Sequence, residues 1–210
     1  MGSKRVGLAR TQALIENLKR QLNMGGSTFQ DIELGASTST AGSGLQSGSI
    51  AAPVTKVATV AGEIITTIQL DLQNLSGSTS SATIVGNAEA RDGAGASPAF
   101  LYEHSNTLNG ILYKVEMSCL EDVAGGQANT NFAISGSTLG ILEHGDTVTG
   151  SPFTVFSGNY IAENETNVDN TVNSSDGAFM YLTSGAAGGA TLGKFTAGKL
   201  IIRLYGHPDF

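Results

Sequence analysis

The residues able to do chemistry in this chain are few and stand in three places. His104 lies in Tyr102-Glu103-His104-Ser105, which puts an imidazole, a carboxylate and a hydroxyl within four positions. These are the parts of a hydrolytic triad, but triads are normally assembled from distant segments, so a loop histidine is the plainer reading. Glu143-His144-Gly145-Asp146 offers one imidazole and two carboxylates, donors that bind zinc and other divalent ions. A metal needs three or four convergent ligands and one short turn supplies two at most, so this segment reads as a turn. Asp169, Asn173 and Asp176-Gly177 resemble a calcium loop only loosely, because their spacing departs from the EF-hand order. A solvated acidic loop is expected there, with calcium held between loops as the alternative.

Other features close off further chemistries. The single cysteine, Cys119, excludes an internal disulfide framework and a Cys-based zinc knuckle. It falls on the apolar face of an alternating segment and reads as a core thiol. His207 sits in the tail Gly206-His207-Pro208-Asp209-Phe210 and reads as a tail contact. There is no G-x-S-x-G elbow, no phosphate-binding loop and no G-x-G-x-x-G after a strand. Carboxylate pairs for glycoside chemistry need a groove with aromatic platforms, and the chain has no Trp, five Tyr and eight Phe. The expectation is a protein that is not an enzyme and carries no cofactor and no metal.

The elements around these residues read as strands. Glu63 to Leu72 alternates, with Ile64, Thr66, Ile68, Leu70 and Leu72 on one face. Gly110 to Leu120 places Ile111, Tyr113, Val115, Met117 and Cys119 on one side, and Lys114, Glu116 and Ser118 on the other. Lys199 to Tyr205 turns Leu200, Ile202 and Leu204 inward. Shorter strands are expected at 54–60, 81–85, 130–135, 154–156 and 178–183. Turns such as Asp92-Gly93 and Ser175-Asp176-Gly177 separate them. One apolar face per strand with frequent turns predicts a mainly β fold, an antiparallel β-sandwich of jelly-roll type. The loops 86–109 and 157–177 are long, and long loops are where such a domain usually meets its surroundings.

Composition supports strands and excludes long helices. Of 210 residues, 28 are Gly and only 14 % are charged, against about 25 % in typical soluble domains. No run of apolar residues is long enough to span a membrane. Charge is spread unevenly. Residues 1–20 hold Lys4, Arg5, Arg10, Lys19 and Arg20 against Glu16 alone, while the other 190 residues carry six basic and 17 acidic groups. A basic segment on an acidic body points to docking on something negative, and the body's charge disfavours free nucleic acid.

Three segments follow. Residues 1–26 read as a basic amphipathic helix with Leu14, Leu18 and Leu22 on one stripe, stopped at Gly25-Gly26. Residues 27–52 read as a Gly/Ser/Thr-rich extended arm with the uncharged run 35–52, and residues 53–210 as the sandwich body. A short helix and an extended arm gain stability only by lying on something else, which suits an assembly component.

Four stretches carry a resemblance. They are Met1–Arg20, Lys56-Val57-Ala58-Thr59-Val60-Ala61-Gly62-Glu63-Ile64-Ile65-Thr66-Thr67, Asn109 to Cys119, and Thr196 to Gly206. Each is similar to virion structural proteins of marine tailed phages, cyanophages among them. The resemblance implies a non-enzymatic component of the virion, made in the host cytoplasm. Size and shape favour a capsid decoration, or cement, protein on the head exterior over a major capsid protein. Such proteins are commonly trimeric, which makes a homo-oligomer bound to the major capsid protein or other virion proteins the expectation. No nucleic acid and no membrane is expected as a partner. The partner-binding residues would be Lys4, Arg5 and Arg10, meeting acidic shell surface, with Leu14, Leu18 and Leu22 docking the helix. The alternatives are a tail or baseplate component and a host-surface carbohydrate-binding module.

Overall fold

The structure, a computed structural model, describes residues 37–60, 62–77, 82–125, 131–149, 154–156, 165–168, 176–184 and 193–208. The chain divides into two units, Met1–Gly35 and Ala36–Phe210, and the description that follows is of the second. The expected N-terminal helix lies outside the described residues, and so does the arm up to residue 36.

Among the described residues, ten strands follow one another: β1 (Ser37–Thr40), β2 (Val54–Val60), β3 (Glu63–Asp71), β4 (Phe100–Glu103), β5 (Ile111–Gly125), β6 (Phe132–Ser137), β7 (Thr154–Phe156), β8 (Glu165–Val168), β9 (Phe179–Ser184) and β10 (Phe195–His207). A single helical turn, α1 (Asn106–Asn109), precedes β5. The strands form a large sheet in the order β1-β2-β3-β10-β5-β8 and a small sheet in the order β4-β9-β6-β7. All of the pairings are antiparallel. The chain is therefore mainly β, with two antiparallel sheets.

The alternation of apolar residues explains how the sheets meet. Ile68 and Leu70 of β3, Leu200, Ile202 and Leu204 of β10, and Val115 and Met117 of β5 are all buried. They share one hydrophobic cluster with Leu101 of β4, Ile134 of β6, and Met180 and Leu182 of β9. Two sheets contributing to a common core is consistent with a β-sandwich. Each such side chain contributes about 1.5–3 kcal/mol relative to leaving it in water.

The structure corrects the expected face of β5 at its start. Leu112 is 2 % exposed and Ile111 37 %, the reverse of the simple alternation. The cause is a bulge. Tyr205 pairs with Lys114 but Gly206 pairs with Leu112, so Tyr113 is an extra residue with no partner position. One extra residue flips every side chain before it to the other face. The expected strand at 81–85 is replaced by isolated bridges from Thr83 to Thr147 and from Ile84 to Thr183. The supposed loop 86–109 contains β4 and α1, and 157–177 contains β8.

Residues 37–52 are corrected more deeply, because they belong to the fold. After β1 pairs with β2 in the large sheet, the chain crosses to the edge of the small one. There the Gly42 amide donates to the Phe100 carbonyl at 2.9 Å, and the Gly44 amide to the Pro98 carbonyl at 2.8 Å. Leu45, 1 % exposed, is driven into the core. A Cβ on Gly42 would lie 2.1 Å from the Pro98 oxygen, and one on Gly44 2.3 Å from the Ser97 oxygen. Glycine is required here for close backbone approach, although its abundance reads as flexibility in the sequence. The segment covers the open edge of β4, a place where an uncovered strand would invite wrong pairing.

Candidate functional site

The residues singled out from the sequence divide into those the structure describes and those it does not. Lys4, Arg5, Arg10, Leu14, Leu18 and Leu22, and also Asp169 and Asn173, lie outside the described residues. His104 is completely buried beside α1, while Glu103 is exposed, so the two diverge as strand neighbours must. The His104 ring nitrogen Nε2 stands 3.0 Å from Asn106 Oδ1. Burial holds its pKa below the ordinary histidine value, against the opposing effects of the Asn106 contact and the Asp176 charge. Ser105 meets Asn109 through its backbone amide, at 2.9 Å from Oδ1. Asp176 accepts from the Asn106 amide at 2.9 Å. These contacts fix the turn between β4 and β5.

The Glu143-His144-Gly145-Asp146 segment is a tie between loops. Glu143, 1 % exposed, accepts from the Gly93 amide at 2.7 Å and the Ser97 amide at 3.0 Å. Asp146 accepts from Arg91 at 2.9 Å through one oxygen and from the Glu143 amide at 2.9 Å through the other. The His144 pKa is held down by burial. With Ala99 donating to Leu142 at 2.9 Å and Tyr181 Oη to the Leu139 carbonyl at 2.6 Å, loops 86–99 and 138–148 form a layer over the small sheet. Tyr181 and Thr183 are accordingly 0 % exposed. Among the described residues, no group of three or more His, Cys, Asp or Glu could hold a metal ion.

Cys119 is a buried core thiol. Burial pushes its pKa up, with the nearby Asp122 charge acting in the same direction. Its sulfur donates to the Glu121 carbonyl at 3.1 Å. His207 is exposed, and its ring stacks on Tyr113 with centroids 6.1 Å apart.

The polar cluster that sequence reasoning did not single out lies on the outward face of the large sheet. Glu116 projects there from β5 yet is only 8 % exposed. It accepts from Tyr205 Oη at 2.5 Å and pairs with Lys114. The Lys114 ammonium also lies 4.8 Å from the Tyr205 ring centroid. Burial acts to raise the Glu116 pKa, but the bonds from Lys114 and Tyr205 and the charges of Lys114 and Arg203 outweigh it, and the net shift is downward. The Tyr205 phenol is pushed up to about 12, by burial first and then by the Glu116 carboxylate. Tyr113, swung outward by the bulge, bonds to Glu63. The cluster ties β5 to β10 across the outward face of the large sheet. Its signal in the sequence was slight, since outward polar residues on a strand look like solvated ones.

No family model, no curated protein and no solved structure matches the chain.

Proposed function

We propose that the chain is a non-enzymatic virion structural protein, a capsid decoration protein with a jelly-roll body and an N-terminal amphipathic helix that docks on the head. Its partners on this reading are the major capsid protein and further copies of itself. The observation that carries the proposal is the strand order. From β3 to β10 the strands divide between the sheets as β3-β10-β5-β8 and β4-β9-β6-β7, the order that two Greek keys generate in a jelly roll. β1 and β2 extend the large sheet beyond β3. Jelly rolls build capsid and lectin domains alike, so the order alone does not choose between them.

Two features weight the choice towards the virion. Three of the four stretches that resemble phage structural proteins fall on β2, β3, β5 and β10, four strands that lie side by side, and the fourth, Met1–Arg20, lies outside the described residues. The titratable groups weighed for chemistry, among them Glu143, Asp146, His104 and Asp176, are spent on holding loops. Docking through Lys4, Arg5, Arg10 and the Leu14, Leu18, Leu22 stripe then suits the contrast between a basic N-terminal segment and acidic protein surface. Immunogold labelling of intact particles with antibody against the body tests the reading. Label on the heads is expected, whereas label confined to tails, or particles free of the protein, overturns it.

A further inference from the structure

Among the described residues, the outward face of the large sheet mixes charged side chains with apolar ones. Ile65, Ile201 and Tyr205 stand half-buried at its middle, and Val60 and Ile111, 52 % and 37 % exposed, flank one end. The strand registers arrange the outward side chains in rows that run across β2, β3, β10 and β5. One row reads Ala58, Ile65, Tyr205, Lys114, and the next reads Lys56, Thr67, Arg203, Glu116. Towards the far end, Asp71 of β3 pairs with Lys199 of β10.

We propose that two copies of the chain pack back to back through this face, about a twofold axis that runs along the strands between β3 and β10. The proposal goes beyond the virion reading and does not depend on it, since it involves neither the N-terminal segment nor a shell. Under this operation β2 of one copy lies over β5 of the other and β3 lies over β10, row upon row. Lys56 then faces Glu116 of the second copy, and Asp71 faces Lys199. Val60 meets Ile111 and Ile65 meets Tyr205, apolar against apolar. In none of these rows does a charge oppose its like, which is the self-complementarity an isologous contact requires. The other twofold in the plane, across the strands, lays each strand on its own copy. Centred on the Arg203 row, it sets Arg203 against Arg203 and Glu116 against Glu116. Charge therefore disfavours that centring, and the axis along the strands is the one proposed.

The size of the face fits a stable dimer. β3, β10 and β5 carry five outward positions and β2 four; with strands about 4.8 Å apart and positions about 6.8 Å apart they cover about 620 Å² before side-chain relief is added. Standard interfaces bury about 800 Å² per partner. The Glu116, Lys114 and Tyr205 cluster on β5 and β10 is already held by its own bonds, so little of its side-chain freedom remains to be lost on contact.

Sedimentation velocity on the full chain over a wide concentration range tests the proposal, with circular dichroism on each variant. A dimer is expected for the unaltered chain. Ile65→Glu should give a monomer with an unchanged β spectrum, and Lys56→Glu a dimer at least about tenfold weaker. A second test uses Val60→Cys and Ile111→Cys chains with a short thiol-to-thiol linker. A mixture of the two should be captured as crosslinked pairs, and either chain alone should not. The proposal is overturned by a monomer at every concentration, by a trimer, by an Ile65→Glu chain that still pairs, or by linkage of the Val60→Cys chain to itself. It falls equally if deleting residues 1–36 abolishes pairing while Ile65→Glu preserves it, because the N-terminal segment is then the contact.

Discussion

Replacing Leu45 by Ala tests whether residues 37–52 are part of the fold or an arm lying outside it. Leu45 is 1 % exposed and belongs to the cluster that both sheets share. It sits in a short 3-10 turn between a segment paired with β2 and the edge of β4. Removing three buried carbons loses their transfer free energy and leaves a cavity, a combined cost of about 2–5 kcal/mol. Against a total stability of about 5–15 kcal/mol, that is a large share. For a domain of this size it corresponds to a melting temperature lower by roughly 4–20 °C. Urea unfolding followed by circular dichroism reads the change as a shift in midpoint at constant slope. Two deletions complete the experiment. Removing residues 1–36 should leave the body's unfolding midpoint in place, and removing 1–52 should lower it sharply or prevent folding. A Leu45→Ala cost under about 1 kcal/mol, or a 1–52 deletion as stable as the full chain, would refute the assignment of this segment to the core.

Four further outcomes follow from particular contacts. Gly44→Ala puts a methyl 2.3 Å from the Ser97 oxygen and should destabilise by about 1–3 kcal/mol in the same urea assay. Glu143→Ala removes the acceptor for the Gly93 and Ser97 amides, so both should lose hydrogen-exchange protection and stability should fall by about 1–3 kcal/mol per orphaned group. His104 and His144 have folded-state pKa values lowered from 6.5 by burial. Their unfolded forms therefore bind more protons, so stability should be full above pH 6.5 and decline as pH falls from there through the folded values. A His104→Asn, His144→Gln chain should show a shallower decline in that window. Cys119, buried and with a raised pKa, should react with a thiol reagent only as fast as the chain unfolds, and fast reaction in native buffer would contradict its core placement.

Much of the large sheet was legible in the sequence because β3 and β10 alternate without interruption. Ile68, Leu70, Leu200, Ile202 and Leu204 were expected inside and are buried. The start of β5 was not legible, since a bulge at Tyr113 is set by the pairing with Gly206 and leaves no local mark in composition. β4 and β8, four residues each, are too short for a periodicity to emerge. The glycines of 37–52 misled for a physical reason. The same residue type that loosens a linker also permits a carbonyl to approach within contact, and only tertiary structure tells which applies. Glu143 to Asp146 reads as a turn, and there the Glu143 amide donates to Asp146; His104, which reads as a loop histidine, lies buried just beyond β4. The outward cluster around Glu116 was missed because it joins β5 and β10, residues far apart in sequence whose meeting depends on register.

Co-sedimentation of the purified chain with phage heads stripped of accessory proteins tests the docking claim most directly, comparing the full chain with a form lacking residues 1–36. The account predicts that the full chain pellets with the heads and that the shortened form, still folded by circular dichroism, stays in solution. Equal pelleting of both forms, or of neither, would contradict it.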